Sequence, residues 1–263
     1  MNRLQDMVII LTGAGGGIGQ AIAARLAAEG AWLMLAERDK AALESCAQTF
    51  PESDNCRHFT GDISLPETAQ RLVAETIAHF AKLDGLVNNA ATLEKADGDV
   101  TKTPLAAWQN TLNVNLTGPF LMCQAALPEL HKTGGAIVNM SSVVAHAGSA
   151  QSQIAYTTAK GGIEAMTREI AIAHARHGVR ANCVAPGPVK TDRTAHYFSE
   201  PDKWQSRRQH IPMGRLGKTG EIAAVVAFLL SRDAGYVTGA SYLADGGIAA
   251  AYLVDDVNGA DKP

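Results

Sequence analysis

The sequence predicts an α/β protein with a doubly wound parallel sheet of about seven strands and helices on both faces. Short apolar runs alternate with longer stretches of helical periodicity from the first residues nearly to the last, which is typical of repeated strand–helix–strand units. Of the 263 residues, 46% are hydrophobic and 19% are charged. This composition provides a full core and excludes a disordered or fibrous protein.

Seven apolar runs give the expected strands, at residues 7–12, 31–36, 56–60, 83–88, 136–140, 179–184 and 241–244. Between them, the stretches 19–29 and 67–80 repeat apolar residues at helical spacing, as expected of helices that pack on a sheet. No Pro/Ser-rich linker, block of charge or internal repeat divides the chain, so we expect one domain over residues 1–263.

Two segments depart from this alternation. Residues 191–212 are polar and Arg-rich after a Pro-Gly-Pro break, and a loop of that length in a compact protein is often a binding loop or a lid. We therefore predict that they contact substrate. Residues 254–263, with three aspartates and a glycine, predict a loosely held tail.

Charge and cysteine content exclude several classes of function. Lys and Arg number 23 and Asp and Glu 26, a net charge of −3, which gives no reason to expect a nucleic-acid partner. The longest apolar stretch near the start, residues 7–11, is far shorter than the roughly 20 residues that span a bilayer, so we expect a cytoplasmic protein without a membrane partner. Four cysteines without a CxxC pair and eight dispersed histidines predict neither disulfides nor a metal site.

A glycine-rich turn, Thr-Gly-Ala-Gly-Gly-Gly-Ile-Gly at residues 12–19, follows the first strand and opens a helix. Glycines permit a tight turn and let backbone N–H groups approach a pyrophosphate at the positive end of the helix. Glu37 ends the second strand, where a carboxylate can bind a ribose diol. A merely flexible turn is the alternative, but this context favours dinucleotide binding. The turn residues assigned to the cofactor are Gly13, Gly15, Gly17, Ile18 and Gly19.

A second motif carries acid–base chemistry. Tyr156 and Lys160 are four residues apart in a helical stretch, so their side chains share a face. A phenol with an ordinary pKa of about 10 is a poor acid or base near neutral pH, but a nearby ammonium favours the phenolate. A surface Tyr–Lys pair is the alternative. Ser141 and Ser142 weigh against it, because they end the preceding strand at the sheet edge where ligands bind. Of the two serines we favour Ser142, which lies further out of the sheet.

These patterns, TGxxxGxG at 12–19 and YxxxK at 156–160, resemble the short-chain dehydrogenase/reductase family. Further landmarks follow in the family's order over nearly the whole chain: Asp62-Ile63, Asn88-Asn89-Ala90-Ala91, Asn115, Arg180-Ala181-Asn182, the segment Pro186-Gly187-Pro188-Val189-Lys190-Thr191, Gly214-Arg215-Leu216-Gly217 and Asp245-Gly246-Gly247. The resemblance implies a Rossmann-type fold and hydride transfer between a nicotinamide cofactor and a secondary alcohol or ketone. Two departures are Ala91 in place of the usual glycine and a spacing from Ser142 to Tyr156 about one residue longer than usual.

The resemblance also implies roles for single residues. Ser142 would hold the substrate oxygen, Tyr156 would exchange its proton, and Lys160 would bind the nicotinamide ribose and favour the phenolate. Asn115 would support a water that links Lys160 to solvent, with a helix-bending polar residue as the alternative. The further residues implied to contact the cofactor, besides Tyr156 and Lys160, are Asp62, Ile63, Asn88, Asn89, Pro186, Gly187, Val189 and Thr191.

Glu37 and Arg38 decide the choice of cofactor. A carboxylate at the end of the second strand accepts both hydroxyl hydrogens of the adenosine ribose and repels the phosphate that replaces one hydroxyl in NADP. Arg38 could pair with that phosphate, but the carboxylate would first have to leave the site. We therefore predict NAD, with NADP less favoured. A non-catalytic regulator that binds a dinucleotide is the alternative to an enzyme, but it would not need the Ser, Tyr and Lys set.

Substrate and assembly are the remaining expectations. The predicted substrate pocket comprises Val144, Ala145, His146, Gln153, Pro188 and the segment 191–212. No Lys or Arg adjoins Ser142 or Tyr156 in the sequence, which favours a small neutral alcohol or ketone, whereas Arg193, Arg207 and Arg208 in the loop favour an anion. Residues 104–130 and 152–174 carry apolar side chains on more than one face, and the resemblance implies that they pair in a homotetramer.

Overall fold

The structure, a computed structural model, describes residues 2–149, 151–195 and 201–251. Within them, the strands are β1 (Val8–Thr12), β2 (Trp32–Glu37), β3 (Cys56–Thr60), β4 (Gly85–Asn88), β5 (Ala136–Met140), β6 (Arg180–Pro186) and β7 (Ser241–Ala244). The helices are α1 (Gly17–Ala28), α2 (Lys40–Thr49), α3 (Pro66–Phe80), α4 (Leu105–Leu112), α5 (Gly118–Thr133), α6 (Ile154–His174), α7 (Asp192–Ala195), α8 (Pro201–Arg208) and α9 (Thr219–Leu230).

All seven strands form one parallel sheet in the order β3-β2-β1-β4-β5-β6-β7. The chain moves outward from β1 to β3 and then returns to the other side of β1, so the direction of winding reverses between β1 and β4. This arrangement confirms the predicted Rossmann-type doubly wound fold.

Side chains of the central strands alternate between two buried layers. In β1, Ile9 and Leu11 pack with α1 and α9, whereas Val8 and Ile10 pack with α3 and α5. Because both faces are covered, the strands are apolar throughout, which is why the sequence shows them as continuous runs.

Local sequence signals begin and end several helices. Asp39 precedes α2, and its carboxylate accepts from the N–H groups of Ala41 and Ala42, a typical N-cap. Helix α3 has Pro66 at its first position, where the missing N–H costs nothing. Helix α5 ends at Gly134, which has a φ of 65°, a conformation that glycine adopts without strain.

The structure corrects several predicted boundaries. β1 begins one residue later than predicted and β4 two residues later, while β2 is shifted by one residue and β6 by up to two. The predicted loop at 191–212 contains helices α7 and α8. Apart from Pro201 and Trp204, the residues of helix α8 are polar, so it lacks the apolar stripe by which the sequence reveals a helix. Residues 196–200 of this segment and the predicted tail at 254–263 lie outside the described residues.

None of the helices in the described part of the chain combines the length and the apolar character needed to cross a membrane.

Candidate active site

A cleft with a volume of about 620 Å³ lies at the carboxyl ends of the strands. The segments that follow β1 to β6 all contribute to its lining. It includes the point between β1 and β4 where the winding reverses, which is where open α/β sheets bind ligands. The predicted site residues in this lining are Gly13, Gly17, Ile18, Gly19, Glu37, Asp62, Ile63, Asn89, Ser142, Tyr156, Lys160, Pro186, Gly187, Val189 and Thr191.

The glycine-rich turn closes tightly between β1 and α1. Gly13 has a φ of 68°, and a Cβ placed on Gly19 would lie 2.1 Å from the carbonyl oxygen of Gly13. The amide of Asn89 donates to the carbonyl oxygens of Thr12 and Gly13 at 3.1 and 3.0 Å. The Thr12 hydroxyl accepts from the N–H groups of Asn89 and Ala90 at 3.1 and 3.2 Å. These bonds fix the turn to the end of β4.

Acidic side chains line the end of the cleft beside β2 and β3. The Glu37 carboxylate accepts from the backbone N–H of Gly15 at 3.2 Å and of Arg38 at 2.8 Å. The Arg38 guanidinium, 59% exposed, lies 3.3 Å from the carboxylate of Asp62. Burial raises the pKa of Asp62, but hydrogen bonds from Ser64 and Arg38 outweigh it and hold that pKa below its ordinary value. The rim of the cleft therefore carries two carboxylates.

The residues present fit a nicotinamide dinucleotide, which the family's fold implies. The N-terminus of α1 opens into the cleft through glycines, so the backbone can approach a pyrophosphate. A Cβ on Gly17 would lie 3.3 Å from the side chain of Thr191, so a larger residue at position 17 would require Thr191 to move slightly. Gly187, on the opposite wall, has no room for a Cβ because Asp245 would lie 2.7 Å away.

Helix α6 carries both predicted acid–base residues on one face. Lys160 is 3% exposed and donates from Nζ to the carbonyl oxygen of Met140 at 2.7 Å, with Nζ 5.5 Å from the centre of the Tyr156 ring. The structure thus brings an ammonium close to the phenol in a largely dry environment, where charge stabilisation is strong.

The start of α6 is held by a residue that sequence reasoning missed. The carboxylate of Asp97 accepts from the N–H of Ala155 at 3.0 Å and of Tyr156 at 2.9 Å. The carbonyl oxygen of Gly98 accepts from the N–H of Ile154 at 3.0 Å. The first three N–H groups of the helix, which have no partner within it, are therefore bound by the loop after β4. A capping residue this far away in sequence leaves no local signal.

The side chains of Ser141 and Ser142, directly after β5, have different environments. Ser141 is 4% exposed, and its hydroxyl donates to Glu164 at 2.9 Å. Ser142 has an extended backbone, and its hydroxyl accepts from the N–H of Val144 at 3.4 Å. Both serines contribute to the lining of the cleft, but Ser141 is committed to the interior.

Asn115 lies within a π-helical turn at Asn113–Thr117, between α4 and α5. Its amide is fully buried, accepts from the N–H of Thr92 at 2.7 Å and donates to the carbonyl oxygen of Thr92 at 2.8 Å. Asn115 therefore lies behind the cleft and holds Thr92, which lines it.

Other predicted residues lie away from the lining of the cleft in the described part of the chain. Gly15 packs against Ala42, which a Cβ would approach to 2.7 Å. Asn88 turns into the interior and donates to Asn139 at 2.8 Å. The predicted substrate residues Val144, Ala145, His146 and Gln153 are also absent from the lining, whereas Leu93 and Lys95, which were not predicted, contribute to it.

Comparisons with known proteins show which sequences this chain resembles. A family model described as enoyl-(acyl carrier protein) reductase matches residues 13–249. The chain is 36% identical over 249 residues to the meso-2,3-butanediol dehydrogenase of Serratia marcescens, which covers 94% of this chain and 96% of that protein. It is 36% identical over 257 residues to the (3R)-3-hydroxyacyl-CoA dehydrogenase of Mus musculus, with 94% and 97% covered.

Solved structures give the same result. The crystal structure of levodione reductase superposes with a TM-score of 0.87 at 34% sequence identity, covering 95% of this chain and 100% of that one. The family match spans most of the sequence and includes residues 13–19 of the glycine-rich turn and the Tyr156–Lys160 motif. The chain therefore belongs to the short-chain dehydrogenase/reductase family of oxidoreductases.

Proposed function

We propose that this protein is an NAD-preferring oxidoreductase that interconverts a secondary alcohol and a ketone. The observation that carries the proposal is the placement of Ser142, Tyr156 and Lys160 in one cleft with the glycine-rich turn, with Lys160 Nζ 5.5 Å from the Tyr156 ring. The named relatives that act on butanediol, levodione and hydroxyacyl groups support this reaction class.

Each residue then has a distinct task. A bound nicotinamide supplies the acceptor or donor of hydride. Tyr156 gives its hydroxyl proton to the carbonyl oxygen during reduction and takes a proton from the hydroxyl during oxidation. Ser142 holds that same oxygen by a hydrogen bond. The buried Lys160 ammonium stabilises the phenolate form of Tyr156 and binds the ribose. Asn115 keeps Thr92 in place at the wall of the cleft, and the water that would link Lys160 to solvent stays a prediction.

The surroundings of Glu37 support NAD over NADP. Its carboxylate is held at the rim by three backbone N–H groups, those of Gly15, Arg38 and Asp39, so it cannot move aside without breaking these bonds. Arg38, the residue that could neutralise a phosphate, is paired with Asp62. A phosphate would therefore meet Glu37 and would have to draw Arg38 from its partner.

A small neutral substrate is the proposed class. Arg38, Lys95 and Lys160 are the basic residues that contribute to the cleft in the described part of the chain. Arg38 lies at the acidic rim and Lys160 is buried, which leaves Lys95 as the basic group able to approach an anionic substrate.

A panel of alcohols and ketones tests the reaction. Vicinal diols, cyclic ketones and hydroxyacyl thioesters are offered with NAD or its reduced form, and absorbance of the reduced nicotinamide is followed. Tyr156→Phe should lower turnover about 10²–10⁴-fold on the best substrate with cofactor affinity preserved. Lys160→Ala should lower both the turnover and the affinity for the cofactor. Near-parental turnover of Tyr156→Phe would contradict the mechanism. Cofactor binding without turnover of any panel member would instead favour a dinucleotide-binding regulator.

The preference for NAD over NADP is tested with the best substrate of this panel. NAD should be preferred over NADP in kcat/KM by at least about tenfold, or ~1.4 kcal/mol, and Glu37→Ala should reduce that preference. Lys40→Ala, a change at an exposed residue nearby that lies outside the cleft lining, is the control. A ratio that favours NADP in the parent would refute the assignment.

We also propose a cytoplasmic homotetramer built on α4, α5 and α6. Exposed apolar side chains on these helices, Leu105, Phe120 and Ile172, are 77%, 48% and 77% exposed in the single chain, and burial in an interface would remove them from water. Light scattering at micromolar concentration measures the assembly, and a monomer mass would rule the tetramer out.

A further inference from the structure

Helix α6 presents a third polar residue on the face that carries Tyr156 and Lys160. Glu164 lies one helical turn after Lys160. It is 8% exposed, although a buried carboxylate costs free energy unless hydrogen bonds compensate it. The hydrogen-bond donors around the Glu164 carboxylate therefore indicate its role.

Three donors from three different segments converge on Oε1 of Glu164. The hydroxyl of Ser141, directly after β5, donates at 2.9 Å. The Nε2 atom of His146, in the turn that follows, lies at 2.8 Å, and since a carboxylate oxygen needs a donor this nitrogen carries the hydrogen. The hydroxyl of Ser241, the first residue of β7, donates at 2.8 Å. The Glu164 carboxylate thus joins three segments to helix α6, namely the end of β5, the turn at residues 143–146 and the start of β7.

Ser142 lies between two of these attachment points. Ser141 precedes it and is also fixed by its own N–H, which donates to the carbonyl oxygen of Val184 at 2.7 Å. His146 fixes the far end of the turn. The segment 141–146 that carries Ser142 is therefore attached at both ends to Glu164.

We propose that Glu164 is a positioning residue for Ser142, acting through Ser141 and His146. It holds the segment that carries Ser142 against helix α6, which carries both Glu164 and Tyr156. This inference rests on the proposed function. A carboxylate with a purely structural role would alter thermal stability but not the turnover number of the folded enzyme.

Two variants at this position separate the roles. Glu164→Leu keeps the approximate volume and removes the acceptor, whereas Glu164→Gln keeps one acceptor oxygen for the serines. We expect Glu164→Leu to lower kcat at least about tenfold, since a displacement of about 1 Å can cost far more, with unchanged affinity for the reduced cofactor. Glu164→Gln should recover most of the activity. Glu169→Leu, at an exposed position of the same helix, is the matched control and should leave both quantities at parental values.

Hydrogen–deuterium exchange of the protein without cofactor gives a readout independent of turnover. The N–H groups of Ala145 and His146 are hydrogen-bonded within the turn, and their exchange should accelerate in Glu164→Leu but not in Glu164→Gln or Glu169→Leu. His146→Ala, which leaves Glu164 its two serine partners, should accelerate the same amides and also lower kcat. It serves as the deciding variant if Glu164→Leu does not fold.

Unchanged exchange at residues 143–147 together with unchanged kcat in Glu164→Leu, or in His146→Ala where Glu164→Leu does not fold, would overturn the inference. Failure of the parent enzyme to turn over any alcohol would refute the proposed function instead, and the exchange experiment would still decide whether Glu164 holds the segment.

Discussion

The N-terminal cap of helix α6 gives a sharp prediction, because Tyr156 lies in the first turn of that helix. Replacing Asp97 with alanine removes both hydrogen bonds from its carboxylate, to the N–H groups of Ala155 and Tyr156. Loss of a helix cap costs about 0.5–2 kcal/mol, and loss of a negative charge beside a helix N-terminus costs about 0.3–1 kcal/mol. The variant should therefore lose about 1–3 kcal/mol of stability.

Thermal unfolding and steady-state kinetics together measure the effect. A chain of this size shifts its Tm by about 2–4 °C per kcal/mol, so Asp97→Ala should unfold about 2–12 °C lower than the parent. Fraying of the first turn moves Tyr156, so kcat should fall more than the affinity for reduced cofactor. Asp97→Asn, whose amide oxygen can still accept one N–H, should give intermediate values.

Asp99→Ala is the matched control for this experiment. Asp99 lies in the same loop and is hydrogen-bonded to Thr101 rather than to α6. The reasoning is refuted if Asp97→Ala behaves like Asp99→Ala in both Tm and kcat.

Three further predictions concern stability, the glycine-rich turn and thiol chemistry. The hydrogen bond from Arg3 holds the pKa of Glu29 below its ordinary 4.5 against the effect of burial. The stabilisation that the ionised Glu29 contributes is therefore present above pH 4.5 and is lost as the pH falls through the pKa of the folded state. Glu29→Gln should flatten the acid side of a plot of unfolding free energy against pH. Gly19→Ala should weaken cofactor binding at least about tenfold with an unchanged circular dichroism spectrum, because the added Cβ would displace Gly13; binding at parental affinity would contradict this. Burial raises the pKa of Cys123 to about 12 and leaves the residue 2% exposed. Because the thiolate is the reactive form, mass spectrometry should find this cysteine alkylated by iodoacetamide only after unfolding.

Periodicity was sufficient to predict the sheet, because strands buried on both faces appear as continuous apolar runs. It did not predict where each strand ends, since that depends on the neighbouring strand. β6 continues to Pro186 because Ala244 of β7 lies beside it, and nothing near Pro186 in the sequence reveals that neighbour. The helices α7 and α8 were missed for a different reason, namely that a polar helix has no apolar face to detect.

Residues that act within one local motif could be predicted, whereas residues that act across the fold could not. Tyr156 and Lys160 share a helix face by spacing alone. Asp97 and Glu164 depend on how distant segments fold against α6, so only the structure shows what they bind. Asn88 shows a limit of motif-based prediction. It lies within the Asn88-Asn89-Ala90-Ala91 motif, but its side chain turns into the interior and donates to Asn139, which its position in the motif does not reveal. The roles of the individual site residues stay predictions.

The packing of α1 against α9 has a consequence for synthesis of the chain. Leu26 of α1 and Ile222 of α9 belong to the same buried cluster, although they lie 196 positions apart in the sequence (222 − 26). A ribosome adding about 5–20 residues per second needs roughly 10–40 s to cover that distance. Throughout that interval the helix that follows the glycine-rich turn lacks its packing partner. A nascent chain that stopped before residue 219 would display the complete dinucleotide motif without the helix that holds it in place.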